Sequence, residues 1–415
     1  MGHELVLLSE RMDWSYFERE FSPLYSRRGC PSKPVRLMVG FLLLKHLYNL
    51  GDETLARAWV MNPYMQYFCG EVFFEHRFPC DPSDLEHFRK RIGEEGVRKI
   101  FDQSVRMFGK AAEEELVVSD TTVQGNGTSF PTDAGLYKKV IDGCNRIARE
   151  AGVSQRQTYT RTSKGLLREA YNGRNPRRHR AAEGAKRKLR TLAGRQVREL
   201  ERRLSPEQRE AYGNRLALFT RILVQTRTSK DKVYSIHKPY TACIAKGKAS
   251  REYEFGNKVG LISTARRQII VAIRAFEGNP HDSRTIDPLL EQMEQAGMRL
   301  PKRLAYDRGG RGPKECRGVQ ILTPGRPLKG DTAWQRRKKR YPFRRRAGIE
   351  PLIGHLKSDH RMQENYLWGK ASGTVNALLA AAAWNLKKLM KELREELLHI
   401  LFRILSRQAF HFLGA

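Results

Sequence analysis

A change of hydrophobic periodicity at residue 116 constrains the fold more than any other feature of this chain. Residues 1–112 carry apolar residues at helical spacing, as in SKPVRLMVGFLLLKHLYNL from residue 32. The β-branched run LVVSD, residues 116–120, has the pattern of a short buried strand, and strand-like and helical segments alternate after it. This order predicts an α/β fold with a mixed sheet flanked by helices, preceded by an N-terminal helical domain over 1–112.

The rest of the chain predicts a sheet domain with one insertion and a helical end. Residues 113–370 contain the strand-like runs and are expected to form the sheet domain. Within it, residues 151–230 hold 21 basic and 6 acidic residues, with leucines at helix-compatible intervals. This stretch predicts a basic helical insertion. Residues 371–415 predict one or two helices that pack on the sheet domain or pair with another subunit.

Two of the predicted strands end on an aspartate. LVVSD ends on Asp120, and KRLAYDRGG, residues 302–310, places Asp307 directly after a strand-like run. Glycines follow both aspartates and allow a ligand to approach the backbone closely. Open α/β sheets place their sites at the ends of strands, so we expect both carboxylates to be exposed there. Asp282 is the best candidate for a fourth carboxylate, but we predict that it caps a helix that begins near Ser283.

A third carboxylate, Glu350, stands at a predicted helix start. Proline is tolerated only in the first turn of a helix, and Pro351 follows Glu350 directly. Helical spacing then places Gly354, Lys357 and Arg361 on the same face as Glu350. One face would therefore present a carboxylate, a gap without a side chain, and two cations.

Positive charge dominates the composition. The chain has 77 Lys and Arg residues against 45 acidic residues, a formal net charge of +32. Eight of the eleven residues 336–346 are basic, including Arg344, Arg345 and Arg346 just before the predicted helix. Such an excess calls for a polyanionic partner, and nucleic acid is the leading candidate. The charge of residues 151–230 fits phosphate contacts or a solvated surface equally well.

Three carboxylates beside basic residues suit phosphodiester chemistry. Two divalent cations, roughly 3.5–4 Å apart, can activate the attacking oxygen and stabilise the leaving oxygen. Hard oxygen ligands suit Mg²⁺, which needs only a few carboxylates because it keeps several waters. The surrounding cations would hold a polyanion against a site that otherwise repels it.

Three segments of the chain resemble bacterial insertion-sequence transposases of the DDE type, in the group of insertion sequences four and five. They are VSDTTVQ around Asp120, LAYDRGG around Asp307, and FRRRAGIEPLIGHLKSDHRM around Glu350. The N-terminal helical stretch and the loop SFPTDAGLYKKVID are also similar to that family. The likeness covers most of the chain, and residues 151–230 contribute least to it.

The last segment carries the most specific part of the resemblance. The signature of the group is Tyr, two residues, Arg, three residues, Glu, six residues and Lys. Here Phe343, Arg346, Glu350 and Lys357 meet that spacing. The departure is Phe343 in the position of the tyrosine, with Tyr341 two positions earlier.

The resemblance implies an RNase H-like catalytic fold and the movement of a DNA element by way of its terminal inverted repeats. It implies Asp120, Asp307 and Glu350 as ligands of two Mg²⁺ ions, which Mn²⁺ is expected to replace. Arg346 and Lys357 would contact DNA near the scissile phosphate. The further cations expected to contact DNA are Arg344, Arg345 and Arg361. The expected partners are double-stranded DNA, both element ends and target, and a second copy of the chain in a homodimer.

Two other functions remain open from the sequence. A nuclease of the same fold would cut DNA without joining it, and a non-catalytic regulator derived from a transposase would only bind DNA. No apolar run approaches the ~20 residues that cross a bilayer, and the start of the chain lacks the order of a signal peptide. We therefore expect a cytoplasmic protein with no membrane partner. The six cysteines form no CxxC pair, which argues against a zinc site.

Overall fold

The computed structural model describes residues 2–26, 32–171, 173, 175–248, 251–325 and 330–413. The chain forms two compact units. The first comprises Met1–Gly125 and Asn257–Ala415, and the second is Asn126–Gly256. Residues 1–112, predicted as a separate helical domain, thus share one unit with the strands that follow them.

The first unit begins with helices that surround one buried helix. The helices are α1 (Glu4–Arg11), α2 (Trp14–Phe21), α3 (Val35–Leu47), α4 (Asp52–Val60), α5 (Pro63–Cys69) and α6 (Pro82–Arg106), with short 3₁₀ helices at Ser22–Leu24 and Gly109–Ala112. Helix α3 is apolar on every side and almost completely buried, as expected for the centre of a helical layer. Helix α6 begins at the N-cap Asp81 and is interrupted at Gly93, whose φ of 63° is not helical.

A mixed sheet follows these helices. Its strands in chain order are β1 (Leu116–Gly125), β2 (Ala242–Lys248), β3 (Arg251–Thr264), β4 (Ile270–Phe276), β5 (Arg303–Ala305), β6 (Glu315–Cys316) and β7 (Val319–Leu322). In the first unit the spatial order is β3-β1-β5-β7-β6, with β4 paired to the other part of β3. Strands β1, β5 and β7 are parallel to one another, while β3 and β4 form an antiparallel hairpin. The predicted α/β class with a mixed sheet is confirmed.

The remaining helices of the first unit cover this sheet. They are α11 (Ile286–Gln295), α12 (Ala333–Arg346), α13 (Ile349–Ser358) and α14 (Ser372–Leu413), with 3₁₀ helices at Asp282–Thr285 and Arg308–Gly310. Helix α14 packs on α6, α3, α1 and β4. Its alanines at 380–383 are fully buried, and their small side chains let the neighbouring elements approach closely. One continuous core joins the N-terminal helices, the sheet and α14, which explains why they form a single unit.

The second unit is a helical body with its own core. Its helices are α7 (Asp133–Glu150), α8 (Thr160–Tyr171), α9 (His179–Arg203) and α10 (Pro206–Val224). Strand β2 pairs antiparallel with the first part of β3, with Cys243 opposite Phe255. Apolar side chains of α7, α9 and α10 form a core separate from that of the first unit. The unit is larger than the insertion predicted over 151–230, because α7 packs on α8 and α9.

A helix that crosses a membrane must be both long and apolar. Within the described residues, none combines enough length with enough apolar character to cross a bilayer.

Candidate active site

Strand pairing brings Asp120 and Asp307 to the same level of two neighbouring strands. Val118 of β1 lies opposite Ala305 of the parallel strand β5, and each aspartate follows two residues later. Asp307 is the N-cap of the 3₁₀ helix at Arg308–Gly310, and its Oδ1 accepts a hydrogen bond from the Gly310 amide at 3.2 Å. The expectation of a strand end is met by Asp307, which follows β5, but it is wrong for Asp120, because β1 continues five residues beyond it to Gly125.

Arg346 joins these two carboxylates. It is the last residue of α12, a helix that packs on both β1 and β5. Its Nη2 lies 2.8 Å from Asp120 Oδ2 and 3.6 Å from Asp307 Oδ2. One guanidinium nitrogen thus serves two carboxylates that are far apart in the sequence.

The environment of Asp120 combines burial with opposing charges. Its side chain is only 15% exposed. Burial raises the pKa of the Asp120 carboxyl above its ordinary value, and the positive charge of Arg346 opposes that rise. The Thr121 amide also donates to Asp120 Oδ1 at 2.8 Å. The negative charges of Asp307 and Glu350 also raise the pKa of Asp120, so both carboxylates lie close enough to interact with it electrostatically.

Glu350 stands in the first turn of α13, as Pro351 predicts. The helix buries Ile349, Leu352 and Leu356 and packs on β1, which leaves Glu350 exposed at its start. A Cβ added to Gly354 would meet nothing within 4 Å, so the predicted gap on this helix is present.

The donor set suits a hard divalent cation. Asp120 and Asp307 direct carboxylate oxygens at one shared cationic group, and such oxygens are the ligands that Mg²⁺ and Mn²⁺ prefer. Across the described part of the chain, no three His, Cys, Asp or Glu side chains are grouped so that they could hold a metal ion. The structure thus brings two of the three predicted ligands together, around a guanidinium, with Glu350 nearby.

The other predicted DNA-binding cations lie in three different settings. Arg344 and Arg345 precede α13, as the sequence suggested, and they belong to the last turn of α12. The Arg345 guanidinium lies 5.5 Å from the centroid of the Tyr341 ring. Lys357 is in the last turn of α13 and is partly buried.

The predicted placement of Arg361 on the Glu350 helix is wrong. Helix α13 ends at Ser358, and Arg361 has a positive φ of 63°, which no helix continues. Its guanidinium donates to the Asn49 carbonyl at 3.3 Å and lies 5.9 Å from the Tyr366 ring. The end of α13 at Ser358, three residues before Arg361, breaks the spacing on which the expectation depended.

Phe343 stands where the family signature has a tyrosine, and the structure shows different surroundings for Phe343 and for the nearby Tyr341. Phe343 is partly buried and packs against the main core. Tyr341 is exposed by 39% and faces basic residues, since hydrogen bonds from Arg266 and Arg345 lower the pKa of its hydroxyl. The phenol available on α12 is therefore that of Tyr341, on the solvent side of the helix.

A buried cation, Lys258, lies near the aspartates and was not predicted from the sequence. Asp282 does not cap its helix, because the N-cap is His281. Instead, Asp282 Oδ1 lies 2.8 Å from Lys258 Nζ and accepts a hydrogen bond from Thr121 Oγ1 at 3.1 Å. Lys258 comes from β3, and nothing in its local sequence indicates a partner more than twenty residues away.

Gly309 makes room for two of these carboxylates. A Cβ at this position would lie 2.7 Å from Asp282 Oδ2 and 3.1 Å from Asp307 Oδ1. Any larger residue would have to push one of these carboxylates aside. The glycine predicted to admit a ligand thus also allows Asp282 and Asp307 to approach each other.

Comparison with known proteins assigns the chain to a family. Residues 1–91 match the family described as Transposase domain (DUF772), and residues 329–390, which include Arg346 and Glu350, match the Transposase DDE domain. An uncharacterized protein of Rhizobium meliloti, ORF8 in the nfe locus, is 41% identical over 165 residues, which are 39% of this chain and 80% of that protein. No solved structure matches the chain. These matches do not separate the groups of insertion sequences, so the kinship with insertion sequences four and five stays a prediction. The chain belongs to the DDE transposases of insertion sequences.

Proposed function

We propose that this DNA transposase cuts at the ends of its element and joins the freed 3′ end to target DNA with one active site. The site consists of Asp120, Asp307 and Glu350. The observation that supports it most is the approach of Asp120 and Asp307, from two parallel strands, to the single Nη2 of Arg346. Glu350 starts the helix that packs on β1, and its charge acts on Asp120.

The two reactions differ only in the attacking hydroxyl. In hydrolysis, a water oxygen attacks the phosphorus at the element end, and the 3′ oxygen leaves and takes up a proton. In strand transfer, that 3′-hydroxyl attacks a phosphorus of the target, and a target 3′ oxygen leaves. One phosphodiester bond forms for each one broken in strand transfer, so no energy source is required.

The three carboxylates would hold Mg²⁺ ions, for which Mn²⁺ can substitute. Two such ions, when bound, activate the attacking oxygen and stabilise the leaving one. Arg344, Arg345 and Lys357 would contact phosphates on either side of the cut and offset the repulsion between DNA and the carboxylates. Basic residues at 336–340 extend this charge along α12, where they are exposed.

We further propose an RNase H-like catalytic fold and a homodimer. The hairpin of β3 and β4 beside the parallel strands β1, β5 and β7, with Asp120 on β1 and Asp307 just after β5, supports the fold. The homodimer follows from the reaction, because two element ends must be held together before both join one target. Terminal inverted repeats provide each subunit with the same sequence.

A cleavage assay on the inverted repeat that flanks the gene tests the active site. Asp120→Asn, Asp307→Asn and Glu350→Gln should abolish Mg²⁺-dependent nicking while the proteins still bind the repeat in a gel-shift assay. Asp359→Asn is the matched control for Glu350→Gln, because Asp359 is exposed at the other end of α13 and bonds to His355. Undiminished nicking by Asp120→Asn or Glu350→Gln protein would remove the proposed mechanism.

The same assay separates the two other functions. A supply of pre-cut ends should lead to joined product, whereas a nuclease would leave them unjoined. Binding without any nick, with or without Mg²⁺, would indicate a regulator.

A further inference from the structure

Arg346 occupies the position that a metal ion would need. Its Nη2 lies between Asp120 Oδ2 and Asp307 Oδ2, at 2.8 Å and 3.6 Å. We propose that Arg346 alternates between two partners: in the free protein it blocks the aspartates, and in the DNA complex it moves to a phosphate and frees them for the metal. This proposal builds on the proposed function, because it assumes that these aspartates bind divalent cations.

The two occupants exclude each other. Mg²⁺ binds carboxylate oxygens at about 2.0–2.1 Å, so an ion shared by Asp120 and Asp307 would stand where the guanidinium nitrogen now lies. The positive charges would also repel each other at this distance, and the Asp120 side chain is too buried for solvent to screen them well. Metal binding by both aspartates therefore requires Arg346 to leave.

The present pairing of Arg346 is incomplete, and this makes it replaceable. The Nε atom of Arg346 is buried without a hydrogen-bond partner. A buried donor that is left unpaired costs roughly 1–3 kcal/mol. A phosphate can accept from Nε and Nη2 together in the bidentate geometry that arginine favours. DNA thus offers Arg346 a partner that uses both nitrogens, while the aspartates use one.

The movement needs only the side chain. The junction between α12 and α13 is tied to the sheet, because Gln268 Nε2 donates to the Gly348 carbonyl at 3.0 Å. A Cβ on Gly348 would lie only 2.4 Å from the same Nε2, so the two residues are in close contact. The exposed Arg344 and Arg345 lie in the same helical turn and would bring a phosphate to Arg346 without a shift of the backbone.

The exchange couples DNA binding to metal binding. If DNA removes Arg346 from the aspartates, DNA raises the affinity for the metal, and the metal raises the affinity for DNA by the same factor. The free transposase would then carry little metal and would not hydrolyse DNA at sites where it is not properly docked.

Mn²⁺ binding, measured by the electron paramagnetic resonance signal of the free ion, tests this coupling without any reaction. Wild-type protein, Arg346→Ala and Lys302→Ala are titrated alone and with a duplex that carries the pre-cut inverted repeat, and the Mn²⁺ bound by the duplex alone is subtracted. Arg346→Ala protein should bind Mn²⁺ roughly 5- to 150-fold more tightly than wild type in the absence of DNA. The duplex should tighten Mn²⁺ binding to wild type by a similar factor and leave Arg346→Ala almost unchanged. Lys302→Ala, which removes an exposed cation paired with Glu115, should behave as wild type.

Two further variants keep the result interpretable. Arg346→Lys retains a cation but lacks the second donor, so its Mn²⁺ affinity should fall between those of wild type and Arg346→Ala. Asp120→Asn should abolish the Mn²⁺ site in wild-type and in Arg346→Ala protein, with and without DNA. Equal or weaker Mn²⁺ binding by folded Arg346→Ala protein, with the site still dependent on Asp120, would overturn the exchange and leave the proposed function intact. Absence of any Asp120-dependent Mn²⁺ site, with and without DNA, would overturn both.

Discussion

Replacement of Lys258 by methionine should destabilise the first unit and impair catalysis. Lys258 Nζ lies 2.8 Å from Asp282 Oδ1 and donates to the Pro280 carbonyl at 2.8 Å. Asp282 in turn accepts from Thr121, the residue after Asp120, and lies against Gly309, near Asp307. Methionine fills a similar volume without the charge, so the variant leaves the Asp282 carboxylate without its cation.

The expected magnitude follows from burial. Removal of one partner from a buried ion pair costs about 3–5 kcal/mol. The side chains of Lys258 and Asp282 are 11% and 26% exposed, so water can compensate part of the loss. We expect a loss of about 2–3 kcal/mol in the free energy of unfolding. The surface pair of Lys302 and Glu115, exposed by 63% and 64%, provides the control, and Lys302→Met should cost about 0–1 kcal/mol.

Tryptophan fluorescence during urea unfolding measures this loss of stability in the first unit of the fold. All five tryptophans lie outside residues 126–256, so the signal reports on the first unit alone. The double variant Lys258→Met, Asp282→Asn should be more stable than Lys258→Met, because it no longer carries an unpaired carboxylate. Nicking by Lys258→Met should fall roughly 100-fold, since small displacements of catalytic groups cost about that much. A stability loss no larger than that of Lys302→Met, or no rescue by Asp282→Asn, would refute this reasoning.

Three other predictions concern stability and the geometry of the site. Burial raises the pKa of Asp102 from 3.8 to about 6, so the folded state binds more protons than the unfolded state between these values. The free energy of unfolding therefore falls by about 3 kcal/mol as pH rises through this window. In urea titrations, Asp102→Asn should stabilise the protein at pH 8 but hardly at pH 4. Gly309→Ala should reduce nicking at least tenfold, because the added Cβ would displace Asp307 or Asp282. Gly318→Ala is the control: its Cβ would meet no atom within 4 Å, so nicking should be unchanged, although the positive φ costs some stability. Asp52→Asn should destabilise the first unit by about 2–4 kcal/mol in the same fluorescence assay. The variant leaves Lys45, whose side chain is 6% exposed, without its carboxylate partner. A variant as stable as wild type would contradict this prediction.

Short-range rules were enough for several features of the fold and of the candidate site. The run that ends on Asp120 forms the first half of β1, and Pro351 marks the start of α13, because strand periodicity and the restrictions on proline act over a few residues. The strand before Asp307 was predicted by the same local pattern. The basic stretch at 151–230 is helical for most of its length, in agreement with its leucine spacing.

Other features depended on contacts between distant residues. The helical spacing from Glu350 to Arg361 fails because α13 stops at Ser358, where Asn49 Nδ2 donates to the Ser358 carbonyl from the N-terminal helices. The N-terminal helices share a core with the sheet, because α14, with its buried alanines, packs on α3, α6 and β4. Neither effect has a local signal, since both arise from segments hundreds of residues apart.

Residue order alone was therefore sufficient to predict the class of fold and the local elements that carry Asp120, Asp307 and Glu350. These depend on periodicity, charge and short spacings, which act within one element of secondary structure. Only the packed structure reveals that Arg346 holds Asp120 and Asp307 and that Lys258 holds Asp282. Such pairings are decided by the parallel register of β1 and β5 and by the packing of α12 on both strands, and these are properties of the assembled unit.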